Sequence, residues 1–260
     1  MAGHVVAGID PSWLERLFAA DPAAHALAVW DRVAWPSLVE FRTLVEDGQP
    51  TAYLLVWNGL PGCPVLHWVG EARDPRPLLE CFPPRPFLAI VPPGLDRAVL
   101  QRAGSATNYR LHLRRRPPPA PPEEAGRPTR RLQAQDTAQL RALAQQDGST
   151  VTDTYLALDI ESEWIVGGFE HDRLVAVARA EVRLPRVWHV SGVCTVADRR
   201  GHRWGRAVVA RLLRDAADAG AGTGLFVRDD NAPARRLYDA LGFEPGSPRC
   251  WIDAGAHRSP

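Results

Sequence analysis

The chain contains no lysine: all 31 of its basic residues are arginine. With abundant alanine, proline and glycine, this points to GC-rich coding. It lowers the weight of any single arginine as a sign of function, because arginine also fills positions where other chains place lysine, although the two are not physically equivalent. An excess of charge is lacking too, the formal net charge being +1 at pH 7. No global field therefore draws the chain toward nucleic acid or an anionic membrane. Cysteine is scarce: Cys63, Cys81, Cys194 and Cys250 are widely spaced and form no CxxC. That argues against a zinc site or a redox pair, and no metal is expected. Cys194, in an apolar strand pattern, reads as a small buried residue. No apolar run reaches membrane-spanning length. The N-terminus shows no basic segment followed by an apolar stretch, so no signal peptide is expected and the chain reads as cytoplasmic.

What is present is enough apolar material for one large core or two moderate ones: 45% of 260 residues are hydrophobic. The clearest boundary is RRRPPPAPPEEAGRP, Arg114 to Pro128, where dense proline favours an extended, semi-rigid linker over a strand or helix. It separates residues 1–113 from 129–260. Both parts alternate strand-like and helix-like stretches in a similar order, which predicts an α/β fold of mixed (α+β) sheet layers and suggests a duplication. In the second part, strand TRRLQ leads to a helix over DTAQLRALAQQ and a short helix near Asp153–Leu158. Strands EWIVGGFEH, RLVAVARAEVRL and VWHVSGVCTV follow, then a helix from about Arg203 to Ala219, strand TGLFVRD, helix APARRLYDAL and a closing strand near Arg249–Ile252.

The stretch RRGHRWGR, Arg199 to Arg206, lies between a buried strand and an amphipathic helix whose Trp204, Val208, Leu212 and Ala216 recur every four residues. Free N–H groups at a helix start attract phosphate oxygens, and Gly201 and Gly205 let a ligand approach the backbone. Arg200, Arg203 and Arg206 add phosphate-matching donors. A purely structural turn gives the same pattern, and neither GK[ST] nor GxGxxG is present. Farther on, NAPARRLYDALGF offers Asn231 as helix cap, Pro233 in the first turn, Gly242 at the C-terminal end, and Leu237 and Leu241 as the buried face. Tyr238 lies about 100° around the helix from Leu237. It is either a packed aromatic or an acid facing a cleft.

SGVCTVADRRGHRWGRAVVARLL followed by NAPARRLYDALGF resembles the two signature segments of the GNAT superfamily of acyl-CoA N-acyltransferases. The resemblance spans roughly Thr129 to Ile252 and is closest to the glycine N-acyltransferase-like branch, with two GNAT-like halves in one chain. It implies two tandem GNAT-like halves, the first degenerate (residues 1–113), a Pro-rich linker (114–128) and an acyl-CoA-binding catalytic domain (129–260). By this resemblance Val193, Cys194, Thr195 and Val196 pair with the pantetheine arm of CoA. The loop Arg200, Gly201, His202, Arg203, Trp204 and Gly205 holds the pyrophosphate, with Arg206 beside it, and Asn231 and Tyr238 take the family's asparagine and tyrosine places. Arg203 stands where the family has glycine. Its Cβ crowds the phosphate unless the backbone adopts a helix-like φ that tolerates arginine. The first half has no equivalent loop, so its expected role is to cover the second half's sheet and wall the cleft.

The resemblance implies transfer of an acetyl or short acyl group from acetyl-CoA or another acyl-CoA to a primary amine by direct attack. The acceptor is a small-molecule amine or amino acid, with no nucleic acid or membrane partner; the oligomeric state stays open. The family's glutamate base corresponds to His189, which is either the base or a packed core histidine. Glu181 and Glu163 are fallback bases acting through water. Two further readings stand beside this one: a catalytically silent acyl-CoA-binding or interaction protein, and a mycothiol-synthase-like tandem acetyltransferase. Acceptor specificity is assigned to the loops around Ser149–Glu163 and to the first half.

Overall fold

The computed structural model describes residues 3–84, 86–103, 107–116, 126–147 and 160–255. These divide into two compact units: one comprises residues 1–113, 227–230 and 246–260, the other residues 114–226 and 231–245.

The first unit contains β1 (His4–Ala7), α1 (Pro11–Ala20), α2 (Pro22–Ala34), β2 (Val39–Glu46), β3 (Gln49–Trp57), β4 (Val65–Gly70), α3 (Arg76–Leu79), β5 (Leu88–Val91), α4 (Asp96–Ala103) and β6 (Thr107–Arg116), whose residues 114–116 group with the second unit. Its helices begin as their sequences dictate: Asp10 and Asp21 accept from Trp13 and Ala24 backbone N–H groups, each followed by proline in the first turn. Strand alternation sorts side chains to opposite faces. Leu44, Leu54, Leu66 and Trp68 enter one core with Leu78, Phe87 and Val99. Phe41, Tyr53, Leu55 and Val69 enter another with Leu14 and Ala28.

The second unit contains β7 (Thr129–Arg131), a 3₁₀ turn at Ala134–Asp136, α5 (Thr137–Asp147), β8 (Trp164–Glu170), β9 (Arg173–Leu184) and β10 (Val187–Thr195). A 3₁₀ turn at Ala197–Arg199, α6 (Trp204–Asp218), β11 (Gly222–Arg228, whose Val227 and Arg228 group with the first unit) and α7 (Ala232–Ala240) follow. Strands β7 to β10 pair antiparallel in sequence, and β10 runs parallel to β11. α6 packs a broad apolar stripe, Trp204, Val208, Leu212 and Ala216 with Val209 and Leu213, against this sheet. Gly168 permits the close approach: a Cβ there would stand 3.0 Å from the Trp204 ring and 3.1 Å from Val208.

The two units repeat one plan. In each, a tight turn with two left-handed residues joins consecutive strands: Asp47–Gly48 between β2 and β3, His171–Asp172 between β8 and β9. In each, the strand two places on runs parallel to its successor and carries a buried histidine at the third ladder position, His67↔Ile90 and His189↔Gly224.

Three features depart from the sequence reading. β1, unforeseen, is a four-residue strand pairing with β2. β6 continues through Arg116, into the segment read as linker. The closing strand β12 (Glu244–Asp253) is longer than expected, and its Cys250–Asp253 pair antiparallel with Val91–Leu88 of β5. Of the described residues, 246–255 group with the first unit, β12 lying between β5 and β6 in the strand order. The proline-rich residues 117–125, the short helix near Asp153–Leu158 and most of the specificity loop from Ser149 lie outside the described residues.

Candidate functional site

The candidate site residues of the sequence all lie in the second unit. They group around two features of β10. The parallel ladder with β11 runs only from Val187↔Gly222 to Val190↔Leu225, whereas β10 continues to Thr195. Between Ser191↔Arg179 and Cys194↔Val177, β10 also carries one more residue than β9, and Gly192 takes φ 55°. A bulge of this kind bends the strand and re-aims its C-terminal end. Val193, Cys194 and Thr195 lie beyond the end of the ladder, with Cys194 buried as expected.

The chain then turns through Val196, whose N–H donates to the Val175 carbonyl at 3.0 Å. Gly201 takes φ 79°, and α6 begins at Trp204. Arg203, the cap residue, has φ 64° and ψ 7°. The helix-like φ that would accommodate arginine is therefore not what it adopts: the loop uses the left-handed conformation for which the family's glycine is suited. Three contacts bring the loop, the strand end and α7 together. Arg200 Nε donates to the Thr195 carbonyl at 3.1 Å. Gly205 lies so near that a Cβ would be 3.3 Å from Thr195 Oγ1 and 3.8 Å from Leu237. Arg206 Nη1 donates to the Ala240 carbonyl at 3.0 Å, at the C-terminal end of α7. A residue not foreseen from the sequence joins them: Arg127 donates to the His202 carbonyl at 3.0 Å, with its guanidinium 5.0 Å from the centre of the Trp204 ring.

α7 starts as its sequence foretells, Asn231 Oδ1 accepting from the Ala234 N–H at 3.1 Å and Gly242 closing the end at φ 79°. Its buried residue, however, is Tyr238 rather than Leu237, which is only half-buried. The Tyr238 ring meets Phe243 edge-on at 5.5 Å. Burial pushes its phenol pKa up to about 12, so the hydroxyl keeps its proton.

His189 and Glu181 come together. β9 carries an extra residue opposite His189, and that residue is Glu181. Its carboxylate lies 3.7 Å from His189 Nδ1, in ion-pair range but beyond a hydrogen bond. His189 is buried against Phe226, ring centres 5.3 Å apart, and neither ring nitrogen has a hydrogen-bond partner. Glu181 is half-buried. Burial alone would raise its pKa, but His189, Arg179 and Ser191 outweigh that, and the carboxyl sits below its ordinary value. Glu163, the other fallback base, is engaged elsewhere: it receives Arg179 Nε at 2.9 Å and Nη2 at 3.1 Å. Ser191, given no role from the sequence, shares the face of His189 by strand alternation, and its buried Oγ also lacks a partner. Reading that period of two outward from His189 would have found it.

Among the described residues, no cluster of three or more His, Cys, Asp or Glu is arranged to hold a metal ion, and no helix is long and apolar enough to cross a membrane.

Residues 129–243 match the acetyltransferase (GNAT) family. The fold of the whole chain is similar to that of a structurally solved Drosophila malonogaster protein (TM-score 0.72, 13% identity, covering 97% of this chain and 98% of that one). It is also similar to a GCN5-related N-acetyltransferase from Sphaerobacter thermophilus (TM-score 0.61, 14% identity, 95% and 94% covered). A third likeness is to a tandem GNAT protein from the clavulanic acid biosynthesis pathway (TM-score 0.58, 15% identity, 98% and 100% covered). At these identities the likeness concerns the fold. No curated protein sequence matches the chain.

Proposed function

We propose that this chain, whose residues 129–243 match the acetyltransferase (GNAT) family, moves an acetyl or other short acyl group from acyl-CoA to a primary amine by direct attack. The observation that carries this reading is the broken ladder of β10. A strand that outruns its parallel partner, bulges at Gly192 and feeds a glycine-containing turn into a helix start offers backbone groups to an extended ligand and N–H groups to its phosphates. Val193 to Val196 take the pantetheine arm, and Arg200 to Gly205 take the pyrophosphate.

The acceptor's ammonium first gives one proton to the His189–Glu181 pair; the freed amine nitrogen attacks the thioester carbonyl, and the carbon–sulfur bond breaks as the tetrahedral intermediate collapses and its nitrogen loses a second proton to solvent. An ionised Glu181 3.7 Å from Nδ1 stabilises the imidazolium that forms. Tyr238, kept protonated by burial, supplies a proton to the departing thiolate. Release of free thiol from acetyl-CoA with a panel of primary amines tests the reading. Turnover that falls about 10²–10⁴-fold in Tyr238→Phe, with CoA affinity kept, supports the acid role. CoA binding with no amine-dependent thiol release from any acceptor would instead indicate a silent acyl-CoA-binding protein.

A further inference from the structure

Three polar groups approach one another where β9 carries its extra residue against β10. Glu181 Oε2 and His189 Nδ1 are 3.7 Å apart. Ser191, two residues along β10 from His189 on the same face, acts on the same carboxylate, yet its Oγ has no hydrogen-bond partner. The His189 side chain is 4% exposed, whereas Glu181 is 40% exposed. A half-exposed carboxylate thus lies beside buried polar atoms that lack hydrogen-bond partners. Such atoms are costly unless something satisfies them. All three residue types offer an acceptor: a carboxylate oxygen, a hydroxyl oxygen and an imidazole ring nitrogen. A protonated primary amine carries three N–H donors and one positive charge.

The cation of this cluster is already engaged. Arg179, opposite Ser191 in the ladder, is held by both oxygens of Glu163 at 2.9 and 3.1 Å. A carboxylate on the acceptor would have to displace Glu163 from that two-point contact and would stand near Glu181.

We propose that Glu181, His189 and Ser191 form a three-point receptor for the acceptor's ammonium group, and that the acceptor is a cationic amine carrying no carboxylate. This rests on the acyl-transfer reading and narrows its substrate class to amines of the diamine type, against amino acids. Ser191 then becomes a residue that binds the acceptor.

The test uses the full chain with CoA present and two probes of equal length, 1,4-diaminobutane and 4-aminobutanoate, followed by calorimetry and by KM and kcat with acetyl-CoA. The diamine binds at least about tenfold more tightly, because the carboxylate of 4-aminobutanoate meets Glu181 and reaches Arg179 only by displacing Glu163. Ser191→Ala raises the diamine KM by about tenfold at unchanged CoA affinity, and Ser191→Thr, which keeps the hydroxyl, restores most of it. If Ser191→Ala melts early, Glu181→Gln, equal in size, serves as second variant and must also weaken the diamine. Equal or tighter binding of 4-aminobutanoate, an unaffected KM in both variants, or no diamine binding at tens of millimolar overturns the proposal. Loss of CoA binding by the wild-type chain would overturn the acyl-transfer reading itself, whereas acetylation that favours 4-aminobutanoate would sink only the ammonium receptor.

Discussion

Arg203 holds a left-handed backbone, φ 64°, at the first step into α6. A side chain in that region costs about 1–2 kcal/mol relative to glycine. Arg203→Gly is therefore expected to raise the unfolding free energy by about 1 kcal/mol in urea denaturation. It is also expected to preserve or tighten CoA binding, because the loop keeps its shape and loses a crowding Cβ. Weaker CoA binding, most marked at low salt, would show that the guanidinium contributes more than the backbone strain takes away. His25 bears on stability in another way: it is buried in the first unit with its Nδ1 2.8 Å from the Tyr53 hydroxyl. Burial, with Arg249 adding to it and Asp21 opposing, lowers its pKa to about 4. The unfolded chain binds the proton near the ordinary value of about 6.5, so between these values unfolding takes up a proton and stability falls with pH. The loss is complete below about pH 4 and amounts to roughly 3 kcal/mol. His25→Gln should remove most of it, and denaturation of both proteins at pH 7 and pH 4 measures the difference.

Gly168 seats the first turn of α6 on β8. Gly168→Val would drive new atoms into the Trp204 ring and Val208, each within 3.1 Å of a mere Cβ. Overpacking of this kind costs about 1–3 kcal/mol. Because the strained residue is Trp204 itself, CoA affinity should fall along with the melting temperature. A variant that melts early but binds CoA normally would show that the helix start tolerates displacement. Most elements are legible in the amino-acid sequence, since apolar spacing of two or of three to four residues dictates which side of a strand or helix faces a core. Local pattern does not carry anything set by a distant partner. β1 is too short to show a period and exists through its pairing with β2. The burial of Tyr238 in place of Leu237 depends on where α7 docks. The left-handed backbone of Arg203 escapes a sequence reading because the residue type suggests a φ that the turn geometry overrules. The duplication lies in ladder register and turn position, at His67 and His189 and at Asp47–Gly48 and His171–Asp172, with little residue identity to announce it.

Across the whole chain, the features that suit acyl-CoA lie in the second unit, and calorimetry is expected to give one CoA per chain. Two equivalent sites would contradict this. The boundary between the units is not a single cut, because residues 246–260 group with the first. Removing everything after Pro245 should therefore destabilise the first unit, exposing β5 and loosening the core that Cys250 and Ile252 help to fill. Limited proteolysis that cleaves first within residues 1–113 of the truncated chain would confirm it, and an unchanged cleavage pattern would refute it.

The position of β12 between β5 and β6 also sets an order of events during synthesis. The ribosome delivers the first unit's other strands early, yet the strand that separates β5 from β6 leaves the exit tunnel only after the second unit's elements. Domains near the N-terminus generally fold while the remainder is still being made. Here that unit must wait for β12, holding the apolar edge Leu88–Val91 unpaired throughout translation of the second unit. The half that is translated first is the half that is finished last, and a nascent chain stalled before residue 250 would be one for chaperones to hold.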